Sequence, residues 1–335
     1  MKSRKRRPTI ADVASRAGVS PATVSRVFNE TAAVNGDLKE RVRSAAEELG
    51  YVPDPIARSL RTQRTMTWAV LITDIQNSFY TSLVRGIEDV AQANGYSVML
   101  CNTDENLDKE QEYLSVVAAA RMAGVVISPS SATDSDVGDL LELGTPVVAI
   151  VRRVAHAEVD TVLVDNIDGA KRGTNHLISI GRRRIACITG SPHTTTGSER
   201  LLGYKQALEA AGIAVDESLI RFSDFKESGG FRAASELMEM ANPPDAIFVA
   251  NNLMTLGTLE ALRAAKIPIP DQVAVVGFDD EPWAEYTQPP LTVVAQPTYD
   301  MGRQAAELLL ERIAGSSGPA REVILRTELR VRESG

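Results

Sequence analysis

The chain has 335 residues, with 36 lysines and arginines against 44 aspartates and glutamates, and a formal net charge of −8 at pH 7. At about 150 residues per domain, this length predicts two or three domains. No apolar run approaches the roughly 20 residues of a membrane-spanning helix. The basic residues 2–7 precede a charged stretch instead of the apolar core of an export signal, so we expect a cytoplasmic protein without membrane contact.

The cysteines and histidines show neither a disulfide framework nor metal-ligand spacing. Cys101 and Cys187 each lie in a short apolar run that predicts a buried strand, so we expect two inert core thiols. His156, His176 and His193 have no spacing typical of metal ligands. We therefore expect neither a metal nor a cofactor.

Charge is distributed unevenly along the chain. Residues 1–64 hold 13 lysines and arginines against 7 aspartates and glutamates, a net of +6. Residues 65–335 hold 23 against 37, a net of −14. Clustered cations bind phosphates, and the field of an acidic body repels them. The pattern favours a head that contacts a polyanion, although a solvated charge run would look the same.

Two short helices are predicted at the start of the head. Thr9 is a suitable N-cap with Asp12 three residues on, and an apolar stripe follows. Gly18 breaks this first helix. Ser20 then caps a second helix that opens with Pro21. Two short helices joined by a tight turn containing glycine form a helix-turn-helix.

A third helix is predicted from about Gly36, with Asn35 as its N-cap, to the glycine at position 50. The stretch from Pro55 to Leu60 is too short to hold a helix alone in water, so we expect it to order only against DNA or a partner copy. The predicted domains are a helix-turn-helix domain at 1–50, a hinge helix and linker at 51–66, and a core at 67–335.

In a helix-turn-helix, the second helix enters the major groove of DNA. Its exposed residues are predicted to be Pro21, Ala22, Ser25 and Arg26. Arg26 is best placed to pair with a guanine edge, whereas Pro21 and Ala22 offer only apolar contact with thymine methyl groups. Base readout is therefore expected to be sparse.

From residue 68 onward, apolar runs alternate with helical stretches, which predicts parallel sheets with helices on both faces. About 270 residues is more than one such sheet usually takes, so we expect two lobes, with a break near 152–164 and further crossings near the C-terminus. The predicted strands are 68–72, 97–101, 125–127, 147–150, 185–189, 246–249 and 273–278, and the predicted helices are 79–93, 108–120, 166–180, 197–211 and 253–265.

Polar and aromatic side chains follow several of these strands, and ligands of open parallel sheets bind at the carboxyl ends of the strands. Amide, carboxylate and guanidinium groups hydrogen-bond to hydroxyl groups, while aromatic rings cover flat apolar faces. Each residue alone is more simply explained as a loop polar group or helix cap, but their shared position predicts a site for a polyhydroxylated ligand. The residues are Asp74, Asn77, Phe79, Tyr80, Arg152, the stretch 190–200, Asn251, Asp279 and Asp280.

The head contains four segments in order, which are Thr9-Ile-Ala-Asp-Val-Ala, Gly18-Val-Ser-Pro-Ala-Thr-Val-Ser-Arg-Val, Glu48-Leu-Gly-Tyr and Ala57-Arg-Ser-Leu. Together they resemble the headpiece and hinge of the lactose-repressor/galactose-repressor (LacI/GalR) transcription regulators. The body is similar to that family's core and to periplasmic sugar-binding proteins. The resemblance implies an all-α headpiece on a two-lobed α/β core with parallel sheets. It also implies a homodimeric repressor of a palindromic operator in double-stranded DNA, controlled by a sugar or nucleoside effector.

The resemblance further implies the roles of individual residues. Leu60 would insert into the minor groove at the operator centre beside its symmetry mate and kink the duplex. The predicted DNA contacts are Thr9, Ser20, Pro21, Ala22, Thr23, Ser25, Arg26, Asn29, Arg58 and Leu60. The predicted effector contacts are Asn77, Phe79, Tyr80, Arg152, Arg200, Asn251, Asp279 and Gln296, with Phe225 as a stacking wall.

One departure from the family pattern concerns Val151, which stands where many sugar binders carry an aspartate before the arginine. Without that carboxylate, Arg152 has no obvious partner in the sequence. We therefore expect a nucleoside, or a sugar with an acidic group, in preference to a plain pentose or hexose. No motif indicates whether the effector releases DNA or promotes its binding.

Two other classes of protein fit parts of the sequence. A solute receptor for transport would need only the two-lobed body, but the basic head and the missing export signal disfavour it. An enzyme is disfavoured because the chain lacks a Gly-x-Ser-x-Gly elbow, a Gly-x-x-x-x-Gly-Lys phosphate loop and a Gly-x-Gly-x-x-Gly motif after the first strand. The last residues show no leucine heptads, so a dimer is expected in preference to a tetramer.

Overall fold

A computed structural model describes residues 8–29, 35–51 and 65–335 of the chain. The chain divides into two compact units, Met1–Thr65 and Met66–Gly335. We call the first unit the headpiece and the second the core.

The headpiece contains the three predicted helices, each beginning at the predicted cap. Thr9 and Asp12 form a reciprocal capping box at the first helix, and Gly18 ends that helix with φ at +64°, a conformation that glycine adopts without strain. The hydroxyl of Ser20 accepts a hydrogen bond from the N–H three residues on at 3.1 Å, and Asn35 caps the third helix. The helices are α1 (Ile10–Ala17), α2 (Pro21–Asn29) and α3 (Gly36–Leu49).

A small apolar core holds the three helices together. Val13, Val24 and Val42, one from each helix, are fully buried. Leu49, in the last turn of α3, is 37% exposed and does not belong to this core. Ala46, one turn after Val42, packs inward instead. Without this packing, helices of 8 to 14 residues would be marginal in water.

The first lobe of the core is an all-parallel sheet with strand order β11-β5-β4-β3-β1-β2. Its side chains alternate between two apolar layers. Val70 and Ile72 pack towards α4 and α11, while Ala69 and Leu71 pack towards α5 and α6. The elements are β1 (Thr67–Ile72), α4 (Phe79–Ala93), β2 (Ser97–Asn102), α5 (Leu107–Ala119), β3 (Gly124–Ile127), α6 (Gly138–Glu142), β4 (Val147–Ile150), β5 (Asp160–Val164), α11 (Thr298–Ile313) and β11 (Glu322–Leu325).

The second lobe has strand order β12-β10-β9-β8-β6-β7, and only β12 runs antiparallel among the strand pairs of the described residues. Strands β6, β8 and β9 are fully buried, which explains their continuous apolar runs. The elements are α7 (Asn166–Ser179), β6 (Ile185–Thr189), α8 (Thr195–Ala210), β7 (Ile220–Phe222), α9 (Glu227–Met238), β8 (Ala246–Val249), α10 (Asn252–Ala264), β9 (Ala274–Phe278), β10 (Thr292–Ala295) and β12 (Glu328–Arg330).

The chain passes between the lobes after β5, between β10 and α11, and between β11 and β12. The predicted break at 152–164 is wrong in position, because Asp160–Val164 is a strand of the first sheet and the passage follows it. The predicted crossings near the C-terminus are confirmed. Several segments between the lobes bring the two sheets into one unit with a cleft at their carboxyl ends.

Most predicted elements of the core match the structure within two residues at each end. Cys101 and Cys187 are buried free thiols, as predicted, and burial raises the pKa of the Cys101 thiol to about 11. The expectation of a buried strand around Cys101 is wrong, because β2 lies at the edge of its sheet and is largely half-exposed. Across residues 8–29, 35–51 and 65–335, no helix is long and apolar enough to span a bilayer.

Candidate functional site

A cavity of about 40 Å³ lies in the cleft between the two lobes of the core. All nine residues predicted to contact an effector line it. Asp74 and Thr196, which belong to the predicted polar strand ends, also line it, whereas Asp280 does not. The lining residues that the sequence did not identify are Thr73, Glu105, Val151, Asp224 and Lys226. The lining comes from loops at the carboxyl ends of strands in both sheets, so closure of the lobes encloses the site.

Arg152 is paired with a carboxylate, although Val151 in place of an aspartate had suggested that it would lack a partner. Its two terminal nitrogens donate to the two carboxylate oxygens of Glu105, each at 2.7 Å, and one also donates to the carbonyl of Pro129 at 3.1 Å. The expectation that Arg152 lacks a carboxylate partner is therefore wrong, because Glu105 supplies one from the loop after β2. Although burial alone would lower the pKa of Arg152, the neighbouring carboxylate raises it.

Arg200 is held by neutral groups on three sides. It donates to the side-chain oxygen of Asn166 at 2.9 Å and to the carbonyl of Ala250 at 2.6 Å. Its guanidinium lies 3.6 Å from the centroid of the Phe278 ring. Burial lowers the pKa of Arg200 to about 10, and Asp279 partly opposes this shift, so the side chain remains a cation at neutral pH.

Asp279 places a carboxylate in the cavity at the end of β9. It accepts hydrogen bonds from the amide of Gln296 and from the backbone N–H of Asn252. Its φ of +78° is strained for a residue other than glycine. Burial raises the pKa of Asp279, although Arg200 opposes the shift. A buried carboxylate of this kind accepts hydrogen bonds from hydroxyl groups strongly.

An aromatic wall covers one side of the cavity. The rings of Phe79 and Tyr80 pack edge to face at 5.1 Å, and the Tyr80 hydroxyl shares hydrogen bonds with Thr73 at 2.9 Å and Ser128 at 3.1 Å. Burial raises the pKa of Tyr80. On the second lobe, the Phe225 ring lies 5.0 Å from the guanidinium of Arg152.

The loop that carries Phe225 is fixed from two directions. The amide of Asn251 donates to the Phe225 carbonyl at 2.9 Å while its oxygen caps α10. The ring also lies so close to Gly190 that a Cβ at position 190 would be 1.8 Å from it. Asn251 thus orients a wall of the cavity as well as lining it.

Direct contacts join the two lobes around the cavity. The amide of Asn252 donates to the side-chain oxygen of Asn77 at 2.8 Å, and both residues are buried. Lys226 donates to Asp104 at 3.1 Å near the cleft entrance, where both side chains are about half-exposed. These contacts exist only while the lobes are together, so they favour the closed arrangement.

In the headpiece, α2 exposes three of the predicted base-reading residues, Pro21, Ala22 and Arg26. Ser25 is half-buried. The backbone of Asn29 ends α2.

The other predicted DNA contacts have different positions. Thr9, Ser20 and Thr23 lie at helix starts, where their side chains take part in caps. Arg58 and Leu60 lie outside the residues that the structure describes. An exposed helix beside capped helix starts suits both base readout and phosphate contact.

A helix-turn-helix headpiece joined to a two-lobed α/β core with a polar cavity between the lobes defines a DNA-binding protein of the ligand-responsive class. Residues 9–54 match the family model of bacterial regulatory proteins of the lacI family, and residues 174–335 match that of the periplasmic binding protein-like domain. The chain is 40% identical over 340 residues to the HTH-type transcriptional regulator CelR of Thermobifida fusca, covering 99% of both chains.

Two solved structures extend this likeness to the fold. A complex of the transcriptional regulator CelR with cellobiose is similar with a TM-score of 0.75 at 38% identity, covering 98% of this chain and 100% of the other. The lac repressor dimer bound to operator and the anti-inducer ONPF gives a TM-score of 0.85 at 25% identity, covering 98% and 99%. The chain belongs to the LacI family of bacterial regulatory proteins. It is a DNA-binding transcriptional regulator, as the sequence predicts, and its relatives are regulators and not enzymes.

Proposed function

We propose that this regulator is a homodimeric repressor whose operator affinity is set by a sugar or nucleoside bound in the interlobe cavity. The proposal rests on three buried polar atoms of lining side chains that have no partner within the described residues. They are Nε of Arg152, Oγ1 of Thr196 and Oε1 of Gln296. An unsatisfied buried polar group costs about 1–3 kcal/mol. A ligand with several hydroxyl groups satisfies a donor, a hydroxyl and an acceptor together.

The size of the cavity couples ligand binding to the arrangement of the lobes. A volume of about 40 Å³ holds roughly three water molecules, which is less than a sugar ring needs. Admission of the ligand therefore requires the lobes or the Phe225 ring to move, and with them the contact between Asn252 and Asn77. In a dimer, such a motion changes the spacing of the two headpieces. A coupling of about 1–3 kcal/mol suffices for regulation.

On the DNA side, we assign base readout to α2, with Arg26 as its main polar reader, and phosphate contacts to the helix starts. Two headpieces related by a two-fold axis read a palindromic operator, and the protein acts in the cytoplasm, where it meets the chromosome. The similarity to a lac repressor dimer on its operator supports this assembly. The cavity binds its effector without transforming it, in keeping with the relatives, and the cellobiose complex of CelR supports a sugar.

A thermal-shift panel of sugars and nucleosides tests the proposal. A ligand that binds only the folded core raises its Tm, by an amount that grows with concentration. Hits are then added to gel shifts on DNA selected from a random pool by the full chain, which also reports whether the effector weakens or strengthens DNA binding. If no sugar or nucleoside raises the Tm, or if the hits leave DNA affinity unchanged, the proposed function is wrong.

A further inference from the structure

The guanidinium of Arg152 is enclosed on several sides. Glu105 accepts from both terminal nitrogens at 2.7 Å, in the two-pronged geometry that arginine otherwise offers to a carboxylate or phosphate ligand. The carbonyl of Pro129 accepts at 3.1 Å, and the Phe225 ring lies 5.0 Å away. The Arg152 side chain is 4% exposed, so an incoming anion would have to displace Glu105 to reach the edge formed by the two terminal nitrogens.

Three of the five N–H donors of Arg152 are used by Glu105 and Pro129, which leaves the Nε–H and one N–H of the second terminal nitrogen for the effector. Its Nε is buried and has no hydrogen-bond partner in the described part of the chain. Because Glu105 compensates the charge of Arg152, these remaining N–H groups are donors suited to a hydroxyl or carbonyl oxygen. Glu105 thus occupies the terminal edge of the Arg152 guanidinium and compensates its charge, and the N–H groups that remain act as donors to uncharged oxygens.

The backbone holds Glu105 in this position at a conformational cost. Asp104 and Glu105 both have φ at +56°, which is the left-handed region that side chains other than glycine and asparagine rarely adopt. The N–H of Glu105 donates to the carbonyl of Thr73 at 3.1 Å, which anchors the loop to the end of β1. Strain of this kind persists only where the surrounding structure fixes it, and it concentrates at functional sites.

The other charged groups of the cavity also disfavour an anion. The lining carries three cationic side chains, Arg152, Arg200 and Lys226, and four carboxylates, those of Asp74, Glu105, Asp224 and Asp279. Lys226 is paired with Asp104, which lies outside the lining. The cavity therefore offers an anionic ligand no net positive charge to compensate its own.

We propose that Glu105 is the residue that selects effectors by charge, because it positions and neutralises Arg152 so that the cavity accepts an uncharged polyol and rejects its acidic counterpart. The inference rests on the proposed function, since it concerns the same cavity. Glu105 is a positioning residue in this account, since it acts on the effector through Arg152.

Paired probes test the proposal on the full chain by calorimetry. The pairs are glucose with glucuronate, cellobiose with cellobionate, and adenosine with adenosine monophosphate. For the pair that the wild-type protein recognises, we expect the neutral member to bind at least about tenfold more tightly than the acidic member. In Glu105→Gln, Arg152 is free to pair with an anion. The acidic member should therefore bind at least about tenfold more tightly than it binds the wild-type protein, and the preference for the neutral member should vanish or reverse.

Two further variants separate selection from folding. Glu105→Asp keeps the charge but shortens the reach, so an intermediate preference is expected even if Glu105→Gln is too unstable to purify. Glu322→Gln removes a two-pronged carboxylate from the neighbouring Arg153, outside the cavity lining, and should leave the preference unchanged. Equal binding of both members to the wild-type protein, or an unchanged preference in both Glu105 variants, would overturn the proposal while leaving the effector function intact. If neither member of any pair binds the wild-type protein, the sugar or nucleoside function itself is wrong.

Discussion

The substitution Asp279→Asn should lower effector affinity while leaving the stability of the protein nearly unchanged. The Asp279 carboxylate is 6% exposed and lies between Gln296 and the start of α10. Because burial raises the pKa of Asp279, its ionised form costs folding free energy, and this cost falls as pH decreases through the raised pKa. Asp279→Asn removes the charge at nearly constant volume. We therefore expect its Tm to stay within about 3 °C of the wild-type value.

The same substitution should strongly lower the affinity of the protein for its effector. A hydrogen bond to a charged acceptor contributes about 1.5–3 kcal/mol, which corresponds to a roughly 10- to 150-fold loss of affinity for the sugar or nucleoside found in the panel. Affinity of the full chain for DNA without effector should not change. Calorimetry measures the ligand affinity, and differential scanning calorimetry measures the Tm.

The neighbouring residue provides a matched control. Asp280 accepts from Arg330 at 2.6 Å and from Arg332 at 2.9 Å, away from the cavity. Asp280→Asn should cost about 2 kcal/mol and lower the Tm by roughly 4–8 °C, with ligand affinity unchanged. The reasoning is refuted if Asp279→Asn binds the ligand as tightly as the wild-type protein, or if both variants lose affinity equally.

Three other variants test separate parts of the account. Arg26→Ala should lower affinity for the selected operator by about 1–3 kcal/mol and affinity for random DNA little, and equal losses in gel shifts would reject its role as a reader. Gly190→Ala forces the Phe225 ring out of its position, so the ligand affinity should fall about tenfold or more while DNA binding stays; unchanged calorimetry would contradict this geometry. Asp160→Asn should cost about 3 kcal/mol at pH 7, because burial alone would raise the pKa of Asp160 but Arg312 and Arg321 hold it far below its ordinary value. That contribution is lost as pH falls below about 4, so the difference from the wild-type protein in denaturant melts should shrink between pH 7 and pH 3, and a constant difference would argue against the ion pairs.

Much of the core was predictable because its central strands are buried on both faces. β4, β6 and β8 are continuous apolar runs, and the sequence predicts their bounds correctly. Elements at the sheet edges, such as β7 and β12 with three residues each, carry too little apolar pattern to recognise. Strand β5 was not predicted for a different reason, which is that it begins with the polar residues Asp160 and Thr161. These residues look like loop residues, but the arginines around Asp160 satisfy its carboxylate inside the fold.

The cavity residues likewise divide into those that the sequence predicts and those that it does not. Residues that directly follow recognisable strands, such as Arg152 and Asp279, could be predicted as lining. Glu105 was missed although it follows β2, because its approach to Arg152 depends on a left-handed turn that no motif indicates. Asp224 and Lys226 were missed because they follow the short strand β7. The partner of Arg152 lies 47 positions away in the chain, so only the folded structure reveals that the charge is compensated.

The most direct test of the account measures DNA affinity of the full chain with and without its effector. Fluorescence anisotropy on the selected operator and on random DNA, with the neutral ligand from the panel, gives all the required constants. We expect specific DNA to bind at least about 10³-fold more tightly than random DNA. The ligand should change operator affinity about 5- to 150-fold, and Asp279→Asn should abolish that change. Equal affinity for both DNAs, or an operator affinity that does not respond to a ligand bound in the cavity, would contradict the coupling between headpiece and core.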